Sequence, residues 1–330
     1  MAVLGVVVGL ALLVKGADYL LDGAVSLSER LRIPEIVVGL TLVAFGTSLP
    51  ELVINVLASV RGEGGITLGN IVGSNIANIL LILGVSALIS PISRHALLMR
   101  REIPLNLLLV ILLALFLFRI SEGTISRSEG FVFLVIFAAY ILMTFAKYHD
   151  DAPQGTKDVE SLRSSLLKVA FGSVALGLGA NWTLEGAVAL AHHLGISKTF
   201  VGLFVLAVGT SLPELITSAM AALRGNPYIA IGNVSGSNIF NVAMILGLSA
   251  TIRPVRIPER AIFDVAFLLV ATLLFLFFTM ISRGRLLGRR RGILLLVLYL
   301  LYVAVSYRLE ISGDVSGLIY SLREGLPTLP

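Results

Sequence analysis

The sequence of 330 residues contains no cysteine. Disulfides, cysteine-ligated zinc and thiol nucleophiles are therefore excluded. Charge is also scarce, at 14% of residues, where soluble domains carry roughly a quarter. Histidine occurs four times, as His95, His149, His192 and His193, with no partner at a metal-ligand spacing and no HExxH. With no Ser–His arrangement either, the chain does not read as an enzyme and needs no cofactor.

Apolar residues are what the sequence has in excess. They make up 57% of the chain, and the mean hydropathy is +0.96. This composition belongs to an integral membrane protein whose first partner is the lipid bilayer. The apolar runs have helix length, unlike the short alternating strands of a membrane barrel. Ten windows can span: roughly 2–26, 34–60, 66–90, 103–120, 128–147, 166–193, 198–223, 228–252, 260–281 and 290–308. The net charge of +5 has its largest cluster in RGRLLGRRR, Arg283 to Arg291, between two apolar runs. That place suits a cytoplasmic loop and not a nucleic-acid site. The bias of basic residues puts the N-terminus outside the cell membrane and the polar connector 148–164 inside. The segment 309–330 is too polar to span and reads as a tail.

An offset of 163 residues aligns the chain with itself, Gly16–Pro91 upon Gly179–Pro254, without a gap. GADYLLDGAV pairs with GANWTLEGAV, and GNIVGSNIANILLILGVSALISP with GNVSGSNIFNVAMILGLSATIRP. This is internal duplication. Five spans per copy is an odd number, so the second copy crosses the membrane in the opposite sense. The expected fold is an all-α membrane protein of ten helices in two inverted five-helix repeats, residues 1–147 and 165–308. Helices 2, 3, 7 and 8 form the core, with a site near the bilayer midplane.

GTSLPELV at Gly46–Val53 returns as GTSLPELI at Gly209–Ile216, inside apolar runs. A carboxylate at the bilayer centre costs about 2.5–3.5 kcal/mol on insertion scales. Glu51 and Glu214 therefore need a partner, and the spans offer no matching pair of basic residues; Lys15 is the only candidate away from the span ends. A bound cation is the natural alternative. Pro50 and Pro213 have no N–H for the carbonyls of Gly46 and Gly209, so each helix should kink or break there. Irregular backbone at that depth survives where it lines a cavity or is buried in protein. Thr47 and Ser48 share a helix face with Glu51, and Asn70, Ser74 and Asn78 form a stripe of one every fourth residue in the next span. The second copy supplies Thr210, Ser211 and Glu214, then Asn233, Ser237 and Asn241. All are hard oxygen donors, suited to sodium and calcium more than to zinc or copper.

Taken singly, each feature has a plainer meaning: a kink for the proline, interhelical glue for Ser or Asn, close packing for Gly69-x-x-x-Gly73 and Gly232-x-x-x-Gly236. Their joint recurrence at one offset favours ion binding. Asp18 and Asp22 follow Lys15 at helical spacing and read as local pairs. Asp264 and His192-His193 read as interfacial.

GTSLPE followed by GNxxGSNxxN, in both halves, resembles the alpha repeats of the sodium/calcium exchangers of the calcium/cation antiporter superfamily. The likeness covers about 150 residues of repeat. It implies alternating access at a central cluster of cation sites, and sodium and calcium as the transported ions. It implies that Glu51 and Glu214 bind both ions, and that Thr47, Ser48, Thr210, Ser211, Ser74 and Ser237 add oxygens. Backbone carbonyls of Ala44 and Ala207 join outer sodium sites, and those of Thr47 and Thr210 hold calcium. Some prokaryotic relatives have Asp where this chain has Asn241, so with Asn78 and Asn241 neutral the site carries only the charges of its two glutamates. The proton-coupled branches carry Glu after Gly-Asn-Ala-Ala, which is missing here, and the connector is too short for a calcium-sensing domain. The chain is expected to work as a monomer. Exchange of a divalent cation for protons, potassium-dependent exchange and a passive cation channel are the other functions to weigh.

Overall fold

The computed structural model describes residues 2–93, 95, 101–117, 123–147, 160–193, 209–256, 261–281 and 285–312. In chain order the helices are α1 (Ala2–Leu31), α2 (Glu35–Thr47), α3 (Leu49–Arg61), α4 (Gly64–Ile89), α5 (Ile103–Leu115), α6 (Arg127–Lys147), α7 (Leu162–His193), α8 (Leu212–Leu223), α9 (Pro227–Ile252), α10 (Ala261–Ile281) and α11 (Arg289–Ser312). Among the described residues, seven helices are long and apolar enough to cross a membrane, or up to eight if the bent pair α2–α3 is one span. The remaining apolar helices, α5 and α8, are shorter and border undescribed residues.

Burial sorts these helices into layers. In α4 and α9, 78% and 94% of the apolar span lies inside the protein, against 28% for α1, α6 and α11. The outer helices carry Val7, Phe131, Leu142, Val174 and Leu300 on their exposed faces, where lipid replaces protein as the apolar solvent.

Glycine spacing explains how α1 and α7 join. Gly9, Gly16 and Gly23 recur every seventh residue, as do Gly172, Gly179 and Gly186. A Cβ at Gly9 would lie 2.8 Å from Gly179 O, and one at Gly172 would lie 2.7 Å from Gly16 O. Only glycine permits this approach. The contacts run in opposite senses, with Gly5 near Gly186 and Gly23 near Ser165, so the two helices are antiparallel. The 163-residue offset carries Gly9 onto Gly172 and Gly16 onto Gly179, so the two contacts are repeat equivalents made reciprocally.

The same reciprocity governs the rest. Gly84 of α4 meets Gly292 of α11, and Gly247 of α9 meets Gly130 of α6. Two short antiparallel ribbons cross between the halves. β1 (Ile92–Ser93) pairs with β4 (Arg285–Leu287), and β2 (Thr124–Ile125) with β3 (Val255–Arg256). Gly232 and Gly236 pack on Ile36, Leu40 and Ala44 of α2, as their spacing predicts. The positions equivalent to that α2 face, 199–207, lie outside the described residues, and so do the partners expected for Gly69 and Gly73.

Candidate functional site

The breaks fall at the motifs. α2 stops at Thr47, Ser48 leaves helical geometry at φ −88° and ψ 9°, and α3 restarts with Pro50 in its first turn. The axis turns by 50°. Ser211 has φ −87° and ψ 7° ahead of Pro213 in α8, so the second copy breaks in the same way. Proline is tolerated there because a first-turn residue has no intrahelical acceptor to lose. Among the described residues, π-helical segments accompany the breaks at Gly39–Val43 in α2, Asn78–Ile82 in α4 and Phe240–Leu246 in α9. Such widened turns re-aim side chains and are frequent at functional sites.

These elements bring the two acids to one centre. Glu51 and Glu214 are each 1% exposed, and their carboxylates are near enough to repel one another. Ser48 Oγ donates to Glu214 Oε1 at 2.8 Å and lies 3.0 Å from Ser237 Oγ. Thr47 Oγ1 donates to Asn233 Oδ1 at 3.1 Å. In the other half, Asn70 Nδ2 donates to Thr210 Oγ1 at 3.1 Å, and Ser74 Oγ lies 3.3 Å from the same hydroxyl. Lys15 is turned away: its side chain is 74% exposed and sits 4.0 Å from Asp18. The groups around the acids are hydroxyls and amides.

Among the described residues, oxygens without a partner mark the centre. Both carboxylate oxygens of Glu51 are buried and unbonded, and so are Glu214 Oε2, Ser211 Oγ, Asn78 Oδ1 and Asn241 Oδ1. Buried polar atoms are normally satisfied, and a cluster of acceptors facing inward fits hard cations. The carbonyl of Ala44 behaves differently, since it already accepts Ser48 N–H at 3.0 Å and Thr47 Oγ1 at 3.3 Å. Ala207 lies outside the described residues.

Four supporting residues stand outside the expected ligand set. Asn241 Nδ2 donates to Asn75 Oδ1, and Asn78 Nδ2 to Asn238 Oδ1, both at 2.9 Å. These crossed amide pairs join α4 to α9 and fix which end of Asn78 and Asn241 faces inward. Asn75 and Asn238 are signalled by falling at equivalent places in GSN. Asn55 Nδ2 donates to Asn70 Oδ1 at 2.7 Å, whereas Asn233 Nδ2 donates to Ser218 Oγ at 2.9 Å. The change from Asn55 to Ser218 between copies thus reverses the amide of the stripe.

Asp18 and Asp22 are not mainly local pairs. Arg224, at the end of α8, reaches both of them. The sequence suggests Lys15 by proximity, but the fold brings a cation from 202 residues further along the chain.

An acidic, oxygen-lined centre buried among apolar helices defines a membrane protein that handles small cations. Residues 1–146 and 164–308 match the family described as sodium/calcium exchanger protein. The chain is 34% identical to sodium/calcium exchanger MaX1 of Methanosarcina acetivorans, over 91% of this chain and 96% of that one. It is 36% identical to inner membrane protein YrbG of Escherichia coli, over 92% and 96%. A solved structure of the sodium-calcium exchanger NCX_Mj superposes with a TM-score of 0.80 at 34% identity, covering 92% of this chain and 99% of that one. The chain belongs to the sodium/calcium exchanger family.

Proposed function

We propose that this protein is a secondary active antiporter that exchanges sodium for calcium by alternating access. The observation that carries the reading is the pair of buried glutamates, one from each repeat, with unbonded oxygens and no basic partner among the described residues. Glu51, Glu214, Ser211, Asn78 and Asn241 offer open acceptors. Thr47, Ser48, Thr210, Ser74 and Ser237 line the same centre. One calcium ion balances the two glutamates, whereas three sodium ions leave a surplus positive charge. The empty site, with two uncompensated carboxylates, resists crossing the midplane, and this couples the ions.

The architecture we assign is ten spans in two inverted repeats, residues 1–147 and 165–308, joined by a cytoplasmic connector at 148–164 and ending in the tail 309–330. Reciprocal contacts between antiparallel α1 and α7 support the inversion. The protein sits as a monomer in the cell membrane with its N-terminus outside.

The test is radiolabelled calcium uptake into vesicles carrying the reconstituted protein and loaded with sodium. Uptake driven by the sodium gradient, without potassium and without a pH gradient, is the expected result. Uptake that follows an imposed pH gradient, or that requires potassium, would replace this reading with another antiport. Currents far above carrier turnover would make it a channel.

A further inference from the structure

The 163-residue offset relates Asp18 to Asn181, Asp22 to Glu185 and Arg61 to Arg224. Two repeats identical at about half of their aligned positions would make similar contacts if they shared one conformation. They do not. Arg224 Nη1 bonds Asp22 Oδ1 at 2.7 Å, while its other terminal nitrogen reaches Asp18, one helical turn earlier on the same face of α1. The equivalent cation, Arg61 at the end of α3, is exposed and makes no ion pair among the described residues. Its would-be partners on α7 bond each other instead, Asn181 Nδ2 donating to Glu185 Oε1 at 2.9 Å.

The elements carrying these groups differ in the same sense. α1 packs closely on α8, whereas α7 barely touches α3. At the centre, Ser48 holds Glu214, while Ser211 Oγ and the Glu51 carboxylate have no partner among the described residues. Chain end and ion centre therefore break the pseudo-twofold together. In an inverted-repeat carrier, the second conformation is reached when the two halves exchange arrangements.

We infer that Arg224 with Asp18 and Asp22, and Arg61 with Glu185 and Asn181, are two alternating clamps of the transport cycle. The first is closed here, and the second closes when the protein opens to the other side. The inference rests on the alternating-access reading above. An arginine forked across two carboxylates is stronger than one facing a carboxylate and an amide. The cycle is thus biased toward the arrangement seen here, and Asn181 sets that bias.

The absence of native cysteine makes the test direct. Asp22→Cys with Arg224→Cys reports the first clamp, and Arg61→Cys with Glu185→Cys the second, each in the full chain in native membranes under oxidant. Both pairs are expected to cross-link, the second under ion conditions that reduce the first. Within the first pair, adding Asn181→Asp should lower the cross-linked fraction about twofold to fivefold, and adding Arg61→Ala should raise it, as exposed ion pairs of up to about 1 kcal/mol predict. A purely structural role would not transmit charge changes from one end to the other. Failure of the second pair to cross-link under every sodium and calcium condition would overturn the proposal. So would a first-clamp fraction indifferent to both charge changes, which is read even if the second pair folds poorly. Sodium-driven calcium uptake by the unmodified chain is scored separately, so failure of the antiport reading is distinguished from failure of the clamps.

Discussion

Glu51 and Glu214 are the same residue in the same motif, yet one is bare and the other holds Ser48. Removing charge from either leaves one carboxylate to neutralise an ion meant for two. Glu51→Gln and Glu214→Gln are each expected to lower calcium uptake by about tenfold or more, with the folded protein still recovered. Asn238→Ala tests the supporting amides. It frees Asn78 to rotate, and loss of a buried hydrogen bond of about 1–3 kcal/mol predicts a calcium KM raised about fivefold to a hundredfold. The acids were legible in the sequence because carboxylates and prolines are conspicuous in apolar runs. Asn75 and Asn238 were not, because each bonds an asparagine 160 to 166 residues away in the other copy. Arg224 escaped for the same reason, since local spacing favoured Lys15.

At the scale of elements, the break between α2 and α3 follows from one missing N–H. Pro50→Ala removes the ring and adds an N–H, which makes a continuous helix through Ser48 accessible. The expected outcome is a melting temperature unchanged or raised in detergent and calcium exchange lowered about tenfold. The α1–α7 contact makes the opposite prediction. Gly172→Val places side-chain atoms against the backbone of Leu20 and Gly16. Overpacking of about 1–3 kcal/mol should lower the melting temperature measurably. The long spans among the described residues and the break at Ser48 could be read from hydropathy and proline. The π-helical segments at Asn78–Ile82 and Phe240–Leu246 could not, because no residue type demands a widened turn. The glycine ladder was only half visible: the repeat of Gly9 at Gly172 lies outside the gapless alignment, and its antiparallel register needs the fold.

For the whole molecule, duplication was plain in the sequence, since one offset aligned motif, stripe and flanking helix. The asymmetry of contacts between the copies was hidden, because matched motifs do not show which of their side chains meet. The central claim is that sodium and calcium take turns at one doubly acidic centre. Calorimetric titration of calcium into the purified protein at increasing sodium measures this most directly. The account predicts a calcium Kd that climbs steeply with sodium in the wild-type chain, and no measurable calcium binding once Glu51→Gln and Glu214→Gln are combined. Calcium binding that ignores sodium, or that survives the double substitution, would contradict it.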